Sequence, residues 1–509
     1  MKHAALVAHL SRPEAWPDAT PVEVVQTHGA VVFLTTEHAY KIKRPVNLGF
    51  FDFTTFAARK HFVEEEVRLN APRAPGVYLG VHPLVVDGEL VDHAVKMRRL
   101  PDDATLEAWL GDGRATPEVL RAIGARIAAF HADGERGPHI SPFGASERVG
   151  ANARENFDQS RGQVPRAVLP TVHAELEAHT EAALTALGPL MDARAARGVP
   201  RDTHGDLRVD HVYLLADPAS PDLPGVRLAI IDCIEFNTRF RYADPVSDLA
   251  FLAMDLGVRG HRGLADALVD GWVTASGDRE GLALLPFYIA YRSIVRAKVW
   301  GFMLGDDAVP PKRQAHAQGK AQHHWSFALG ALRPAEQAPA LVGVGGLPGT
   351  GKSTVARGLS GFTVLRTDVV RDRVVAGAAG EPDAGRYAPD LRARVYDALL
   401  ADAEAALRRG ERVVVDASLS DRSWRARLEA LGARFAVPVV LLECRTSPEI
   451  ARQRIAGRRG DASEATPAVY DTLAARWDSA GLVPIDTSGT PGAAIAAARV
   501  ALNAARIVC

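Results

Sequence analysis

One run of residues has the composition and spacing needed to bind a chain of phosphates. Residues 346–353 read Gly-Leu-Pro-Gly-Thr-Gly-Lys-Ser and fit the pattern GxxxxGK[ST], between an apolar run and a helical segment. Glycines let backbone N–H groups turn onto phosphate oxygens, the lysine reaches the β- and γ-phosphates, and the hydroxyl binds magnesium. We predict that ATP and Mg²⁺ bind here through Gly346, Gly349, Thr350, Gly351, Lys352, Ser353 and Thr354.

Three further residues in the same third of the chain fit phosphoryl transfer. Asp416 ends an apolar strand and is predicted to hold magnesium through water. Arg454 and Arg458 lie four residues apart on a predicted helix, so they share one face. These two arginines are predicted to form a lid that stabilises the transferring phosphoryl group, and a solvated basic face is the alternative. Lys352 is predicted to act in the same transfer through its contact with the β- and γ-phosphates.

Residues 341–509 resemble the small P-loop kinases of the gluconate, shikimate and polynucleotide kinase types and the zeta toxins. In those kinases a carboxylate after the second strand commonly orients the acceptor hydroxyl as a base. Asp368 stands at that position, so the resemblance implies this role for it. A cap for the following helix is the alternative.

A second group of residues lies in the first two thirds of the chain. Residues 204–208 read His-Gly-Asp-Leu-Arg before an apolar strand, and Asp232 ends another apolar strand. This order is similar to eukaryotic-like kinases, where a loop aspartate is the base and a strand-end aspartate holds magnesium. We therefore predict Asp206 as the base, Asp232 as a metal ligand, Lys41 as the phosphate clamp and Glu66 as the partner of that lysine.

Other interpretations of the second group stay open. Lys43 shares a strand face with Lys41 and could be the phosphate lysine instead. Glu66 could be an exposed helix residue beside Arg68. His204 could be a hydrogen-bonded histidine of the core.

Residues 22–330 resemble the aminoglycoside phosphotransferase family, whose catalytic loop typically reads HGDxxxxN. Residues 204–206 match the start of that loop, Asp232 matches the family's metal aspartate, and residues 244–250 resemble the segment that buttresses the loop. The whole arrangement is similar to bacterial proteins labelled bifunctional aminoglycoside phosphotransferase/ATP-binding protein.

One position departs from this family. His211 stands five residues after Asp206, where the family has an asparagine that binds magnesium. Magnesium prefers hard oxygen ligands, so imidazole is a poor replacement. Three possibilities stay open: Asp232 carries the metal mostly alone, Asp210 or Glu235 assists, or this domain does not transfer phosphate.

The family name does not establish an aminoglycoside substrate. A polycationic aminoglycoside requires a strongly acidic cleft. The candidate acidic residues are expected to be used for structure or metal: Glu235, Asp244, Asp248 and Asp255.

The elements that position both groups follow from the hydrophobic pattern. Strands and helices alternate after residue 341, which predicts a parallel sheet covered by helices. Residues 22–100 are strand-rich, with a hairpin at 31–43, and the chain is mostly helical from 104 to 330. We predict an α+β bilobal protein-kinase-like domain at 1–332, a linker at 333–340 and an α/β P-loop NTPase domain at 341–509.

Composition excludes several other classes of protein. With 509 residues the chain is too long for one core, and its formal net charge of -1 gives no reason to expect nucleic acid or anionic membrane as a partner. No stretch of about 18 apolar residues predicts a membrane span. The cysteines Cys233, Cys444 and Cys509 are far apart, so we expect a reducing, cytoplasmic location without disulfides. Nothing in the pattern indicates an oligomeric state.

Together these features predict an ATP-dependent phosphotransferase that moves the γ-phosphoryl group to a hydroxyl of a small molecule. The first alternative, motivated by His211, is an N-terminal pseudokinase or metabolite sensor that regulates a P-loop ATPase switch. The second is a non-catalytic protein that senses ATP or binds a partner.

Overall fold

The computed structural model describes residues 2–508, apart from 18–19, 28, 50, 221, 307–308, 377–388 and 458–465. Contacts divide the chain into two compact units. The first comprises Met1–Asn152, Leu184–Gly257 and His261–Ile289, and the second comprises Ala153–Ala183, Val258–Gly260 and Ala290–Cys509. The second unit includes helices from both sides of the linker at 333–340, so the domain boundary there stays a prediction.

The first unit opens with strands and two helices, in chain order α1 (His3–Leu10), β1 (Glu23–Gln26), β2 (Ala30–Leu34), β3 (His38–Lys43), α2 (Phe56–Asn70), β4 (Tyr78–Val86) and β5 (Glu89–Arg98). The strands form an antiparallel sheet in the order β1-β2-β3-β5-β4, which contains the predicted hairpin. Tyr40 and Ile42 pack with Phe33 in the core on one face of this sheet. Because side chains alternate along a strand, Lys41 and Lys43 lie on the opposite face.

Helices dominate the chain after residue 104, as predicted. The elements are α3 (Leu106–Gly111), α4 (Pro117–Asp133), α5 (Ser146–Ser160), α6 (Pro170–Ala196), β6 (Arg201–Asp202), β7 (Val212–Ala216), β8 (Val226–Ile230), α7 (Thr238–Arg241), β9 (Tyr242–Ala243), α8 (Pro245–Val258), α9 (Arg262–Ser276), α10 (Leu285–Phe302) and α11 (Pro311–Leu332). β7 and β8 are antiparallel, and Val212, which begins β7, lies opposite Ile230, which ends β8. This pairing brings the loop before β7 beside the residues that follow β8, so the predicted kinase-like fold is confirmed.

Strands and helices alternate after residue 341. They are β10 (Leu341–Gly345), α12 (Lys352–Gly358), β11 (Thr363–Arg366), α13 (Thr367–Ala376), α14 (Pro389–Arg408), β12 (Val413–Asp416), α15 (Arg422–Arg434), β13 (Val439–Arg445), α16 (Pro448–Ala456), α17 (Pro467–Ala474), β14 (Val483–Asp486) and α18 (Pro491–Ala504). The strands form a parallel sheet in the order β11-β12-β10-β13-β14, which confirms the predicted P-loop fold. β14 was not predicted, because it is short, mostly exposed and contains Pro484.

The central strand of the parallel sheet is buried on both faces. Leu341 packs with one apolar cluster, while Val342 and Val344 pack with another on the opposite face. Val344 lies opposite Asp416 on β12, which places this aspartate beside the carboxyl end of β10. Within the ranges that the structure describes, no helix is both long and apolar enough to cross a membrane.

Candidate functional sites

The phosphate-binding run of the sequence forms a tight loop between β10 and α12. Gly346 and Gly349 have φ angles of 139° and 78°, which L side chains rarely adopt. A Cβ atom at Gly346 would lie 2.6 Å from the carbonyl oxygen of Cys444, and one at Gly349 would lie 2.4 Å from that of Ala451. Glycine is therefore required at both positions, and the loop has the form of a phosphate cradle.

Most of the residues predicted for the P-loop half line one cavity of about 730 Å³. Five of them line it and come from four different elements, α12, α13, β12 and α16: Lys352, Ser353, Asp368, Asp416 and Arg454. The other residues that line it are Gly346, Pro348, Gly349, Gly351, Thr354, Arg357, Thr367, Arg371, Arg392, Tyr396, Ser418, Ala468, Val469, Thr472, Leu473 and Arg476. Thr350 supports the loop from behind, since its hydroxyl donates to the carbonyl of Leu347 at 2.7 Å.

The hydroxyl of Ser353 and the carboxylate of Asp416 are in direct contact. Ser353 Oγ donates to Asp416 Oδ2 at 2.5 Å, and Arg366 Nε lies 3.3 Å from the same oxygen. Lys352 Nζ donates to the carbonyl oxygen of Leu347 at 2.9 Å. Hydroxyl and carboxylate oxygens are the ligands that magnesium prefers, so this pair fits a Mg²⁺ ion beside the cradle.

Asp368 lies inside the first turn of α13, because that helix begins at Thr367. It is therefore not the cap that precedes the helix, and that alternative does not describe the structure. Its Oδ1 accepts from Arg371 Nη1 at 2.9 Å, and both residues line the cavity.

The predicted lid is described only in part. Ser447 caps α16 and Pro448 is its first residue. Arg454 lines the cavity, and its Nη2 donates to the carbonyl of Thr487 at 2.8 Å. The hydroxyl of Thr487 in turn donates to the carbonyl of Thr350, which links Arg454 to the phosphate-binding loop. Arg458 lies outside the described residues.

Sequence reasoning missed several residues of this cavity. Arg392 and Tyr396 come from α14, Ser418 follows β12, and Arg476 follows α17. None belongs to a motif, and chain distance separates them from the P-loop. Only the packing of the helices on the sheet brings them to the site.

The N-terminal site is built around a network of opposite charges that comes from β3, α2 and the segment after β8, and most of it is buried. Lys41 Nζ lies 2.8 Å from Glu66 Oε1 and 2.5 Å from Asp232 Oδ1. Lys43 Nζ lies 2.5 Å from Glu66 Oε2 and also pairs with Glu235. Lys41 is thus the lysine that joins the helix carboxylate to the strand-end aspartate, whereas Lys43 joins the same helix carboxylate to Glu235.

Glu66 is fully buried, so the alternative of an exposed residue is wrong. Arg68 pairs instead with Glu65, whose Oε2 lies 2.8 Å from the guanidinium. The helix therefore turns Glu66 toward the sheet and Glu65 toward the surface.

The network shifts the pKa values of its members in the directions expected for stable ion pairs. Burial alone would lower the pKa of Lys41, but the carboxylates of Asp232 and Glu66 outweigh it and hold that pKa well above its ordinary value. Burial alone would raise the pKa values of Glu66 and Asp232, but the ammonium of Lys41 lowers both. These three groups therefore remain charged near neutral pH.

The loop at 204–206 is held by one buried carboxylate of α8. Asp248 accepts the backbone N–H groups of His204 and Gly205, each at 3.0 Å, and lies 3.1 Å from His131 Nε2. Trp272 Nε1 donates to His131 Nδ1, so Nε2 of His131 carries the proton and donates to Asp248. The predicted buttress is thus present at Asp248.

His204 is a hydrogen-bonded core histidine, as one of the open interpretations held. Its Nε2 lies 2.8 Å from the carbonyl of Ile231, and its Nδ1 accepts the backbone N–H of Asp206 at 3.3 Å. Burial lowers its pKa to about 4, although Asp248 acts in the opposite direction. A neutral His204 therefore shapes the loop and does not carry charge.

The guanidinium of Arg208 bridges Asp206 and His211 by hydrogen bonds. Arg208 Nε donates to Asp206 Oδ2 at 3.1 Å, and its Nη2 donates to His211 Nε2 at 2.9 Å. His211 Nδ1 therefore carries the proton and donates to the Asp206 carbonyl oxygen at 2.8 Å. His211 Nε2 lies 3.6 Å from Asp232 Oδ2, so the imidazole does occupy the neighbourhood of the strand-end aspartate.

The acidic residues that could form a cleft for a polycation are engaged, as expected. Each accepts from a basic side chain or a backbone N–H group: Glu235 from Lys43, Asp244 from Arg194, Asp248 from His204 and Gly205, and Asp255 from Val209. Within the described part of the chain, no cluster of three or more His, Cys, Asp or Glu side chains has the arrangement of a metal site.

Comparisons with known proteins give matches to the C-terminal part and to nearly the whole chain. A protein-family model described as an AAA domain matches residues 341–479. Rv2004c of Mycobacterium tuberculosis and Mb2027c of Mycobacterium bovis are each 33% identical to this chain over 481 residues, which cover 92% of this chain and 93% of each relative.

Solved structures similar to the N-terminal part include the GDP complex of aminoglycoside 2'-phosphotransferase-IIIa, with 14% identity over 64% of this chain and 99% of that chain and a TM-score of 0.42. A choline/ethanolamine kinase family protein from Mesorhizobium loti has 16% identity over 65% of this chain and 99% of that chain, with a TM-score of 0.38. A separate, shorter similarity is to a sugar kinase from Janibacter sp., with 20% identity over 34% of this chain and 99% of that chain and a TM-score of 0.27.

Proposed function

This chain belongs to the protein family of Rv2004c from Mycobacterium tuberculosis and Mb2027c from Mycobacterium bovis, and from that premise we propose that it is an ATP-dependent phosphotransferase. In this proposal the P-loop half moves the γ-phosphoryl group of ATP to a hydroxyl of a small molecule. The observation that carries the proposal is the single cavity that contains both the phosphate cradle and the Asp368–Arg371 pair.

The residues present fit ATP and magnesium. The N–H groups of residues 346–353 and the ammonium of Lys352 would bind the phosphates, and the oxygens of Ser353 and Asp416 would hold the metal. ATP supplies the phosphoryl group, and Mg²⁺ supplies positive charge against its phosphate oxygens. The backbone clashes that a Cβ would create at Gly346 and Gly349 show why this cradle accepts no other residue there.

The remaining roles follow from what each side chain can do. Asp368 accepts from Arg371 through Oδ1, and its Oδ2, which lies 4.0 Å from Arg366 Nη2, would accept the proton of the acceptor hydroxyl. Arg371 would hold the carboxylate in that orientation. Arg454, which is linked to the loop through Thr487, would neutralise negative charge that develops during transfer.

One observation favours a regulatory role for the N-terminal half. Asp206, the residue at the position of a catalytic base, is paired with Arg208, and the lone pair of His211 Nε2 also accepts from Arg208. An imidazole in this state has no free lone pair for a metal ion, and magnesium in any case prefers oxygen. As a second candidate function, the N-terminal half would bind a nucleotide or metabolite and regulate the P-loop half.

Both candidates are tested by one experiment. The full-length protein is incubated with ATP, Mg²⁺ and pooled hydroxylated metabolites, and phosphorylated products are detected by ³¹P-NMR and mass spectrometry. Three variants are compared with wild type: Lys352→Ala, Asp206→Asn and Lys312→Ala. The last replaces an exposed lysine of α11 and is the matched control.

We expect a product that disappears in Lys352→Ala and persists in Lys312→Ala. Persistence of that product in Asp206→Asn would support the regulatory role of the N-terminal half. A product that survives Lys352→Ala and is lost in Asp206→Asn would contradict both candidates. ATP binding without any product would indicate a switch that does not phosphorylate a metabolite.

A further inference from the structure

The basic side chains of the P-loop cavity fall into two sets by what they contact. Lys352, Arg357 and Arg454 donate to the loop or to residues bonded to it: Arg357 Nε donates to the Ser353 carbonyl at 3.0 Å, and Arg454 is linked through Thr487. Three other arginines line the cavity on α13, on α14 and after α17: Arg371, Arg392 and Arg476.

The negative charge of the proposed nucleotide offsets most of the first set. This set holds three positive side chains, and the nearby carboxylate of Asp416 is already paired with Arg366 at 3.3 Å. Mg²⁺ bound to ATP carries about two negative charges near neutral pH, so the nucleotide is the anion that this set would bind.

The second set is not balanced in the same way. Arg371 is paired with Asp368 at 2.9 Å, and these two charges cancel. Arg392 and Arg476 remain, and the described residues that line the cavity include no further carboxylate. Two positive charges therefore line the cavity that also contains the predicted base, in addition to those that the nucleotide would bind.

Arg392 makes its close contacts with neutral groups, while the carboxylate of Asp421 interacts with it only from beyond ion-pair distance. Its Nη2 donates to Ser420 Oγ at 2.9 Å, and its guanidinium lies 5.8 Å from the ring centroid of Tyr396. Tyr396 is buried, pairs with Ser418 through its hydroxyl at 3.0 Å and packs on the ring of Trp424. Among the described residues, no carboxylate lies within ion-pair distance of Arg392. A fixed guanidinium with neutral supports is suited to bind an oxyanion.

We propose that the acceptor is an anionic hydroxyl compound, whose carboxylate or phosphate group is bound by Arg392 and Arg476 while its hydroxyl faces Asp368. This inference rests on the proposed function of the same cavity. It excludes polycations such as amino sugars as acceptors, because they would meet like charges without a compensating carboxylate.

The test compares acceptor pools matched in size and differing in charge: hydroxylated carboxylates, sugar phosphates, neutral polyols and amino sugars. We expect product from the carboxylate or the phosphate pool, and which of the two responds identifies the oxyanion. Arg392→Gln should lower kcat/KM for that acceptor about 10-fold or more, with the KM for ATP unchanged, because one charge-assisted contact is lost.

Arg373→Gln is the matched control, since Arg373 is an exposed arginine of α13 that pairs with Asp402 and does not line the cavity. It should behave as wild type. Product from the neutral or amino-sugar pool, or equal kcat/KM in Arg392→Gln and Arg373→Gln, would overturn the inference.

A separate binding experiment distinguishes a failure of this inference from a failure of the proposed function. The protein is saturated with Mg²⁺ and the non-hydrolysable analogue AMP-PNP, and inorganic sulfate is then titrated by calorimetry. Absence of product from every pool would refute the proposed function alone. Even then, we expect sulfate to bind the AMP-PNP-loaded Arg392→Gln variant about 10-fold more weakly than the loaded Arg373→Gln variant. Equal sulfate affinities of the two variants would refute the inference about the anionic acceptor.

Discussion

Replacement of Glu66 by glutamine tests whether the buried charge network of the N-terminal half is what holds β3 against α2. Glu66 is fully buried and uses both carboxylate oxygens, one for Lys41 and one for Lys43. Glutamine has nearly the same shape but only one acceptor oxygen, so its NH₂ group would face an ammonium. Each lysine would keep one other carboxylate, Asp232 or Glu235.

Removal of one partner from a buried ion pair costs about 3–5 kcal/mol. Because glutamine keeps one acceptor, we expect a loss near the lower end, about 3 kcal/mol in the free energy of unfolding. For a unit of this size that corresponds to a fall in Tm of about 6–12 °C.

Glu65→Gln is the matched control, one residue earlier on the same helix. Glu65 pairs with Arg68 at the surface, where the arginine side chain is 58% exposed. An exposed pair of this kind contributes at most about 1 kcal/mol, so this variant should unfold nearly as wild type does.

The pH dependence provides a second signature. The pKa of Glu66 is lowered, so its contribution to stability is complete above its ordinary value of 4.5 and is lost as pH falls through the lowered pKa. The pKa of Lys41 is raised, so its contribution is complete below its ordinary value of 10.5 and is lost as pH rises through the raised pKa. The difference between wild type and Glu66→Gln should therefore be constant from about pH 5 to 10 and shrink in acid.

The assay is urea unfolding at several pH values, combined with hydrogen exchange and mass spectrometry of peptides from β3 and α2. Exchange should accelerate in both elements in Glu66→Gln and in neither in Glu65→Gln. If the two variants lost equal stability, or if the difference were unchanged well below pH 4.5, the network would not be the stabilising feature.

Two further predictions concern the loops. Gly349→Ala should lower the affinity for Mg²⁺-bound AMP-PNP at least about 10-fold, because its Cβ would lie 2.4 Å from the Ala451 carbonyl oxygen. Gly361→Ala, with φ of 79° but no atom closer than 4.0 Å to its Cβ, is the control in the calorimetric titration, and equal affinities would contradict the steric argument. His204 should titrate with a pKa of about 4 by NMR, and because this value is lowered, stability should fall as pH drops from 6.5 toward 4. A midpoint near 6.5 would show that the ring is solvated.

Contiguous motifs were predictable from the sequence because their geometry is local. The cradle at 346–353 needs only a strand before it, a helix after it and glycines between, and all three are visible in the residue pattern. The placement of Asp416 beside it follows from the rule that parallel strands end at one edge of a sheet. Asp232 and the loop at 204–206 were recognisable for a similar reason, since each is attached to a short apolar strand.

Choices between neighbouring residues were decided by tertiary structure. Glu65 and Glu66 are identical in type and adjacent, and only the packing of α2 on the sheet turns one to Arg68 and the other to two lysines. Lys41 and Lys43 share a strand face, and the contact with Asp232 distinguishes them.

The sequence by itself determined the two folds, the phosphate cradle and the positions of the main charged groups. Only the tertiary structure decided that the cavity beside that cradle is also lined by Arg392, Tyr396 and Arg476. It likewise decided that Arg208 donates hydrogen bonds to both Asp206 and His211. The physical reason is that a motif encodes backbone geometry over a few residues, whereas the charge balance of a cavity depends on which distant helices pack around it.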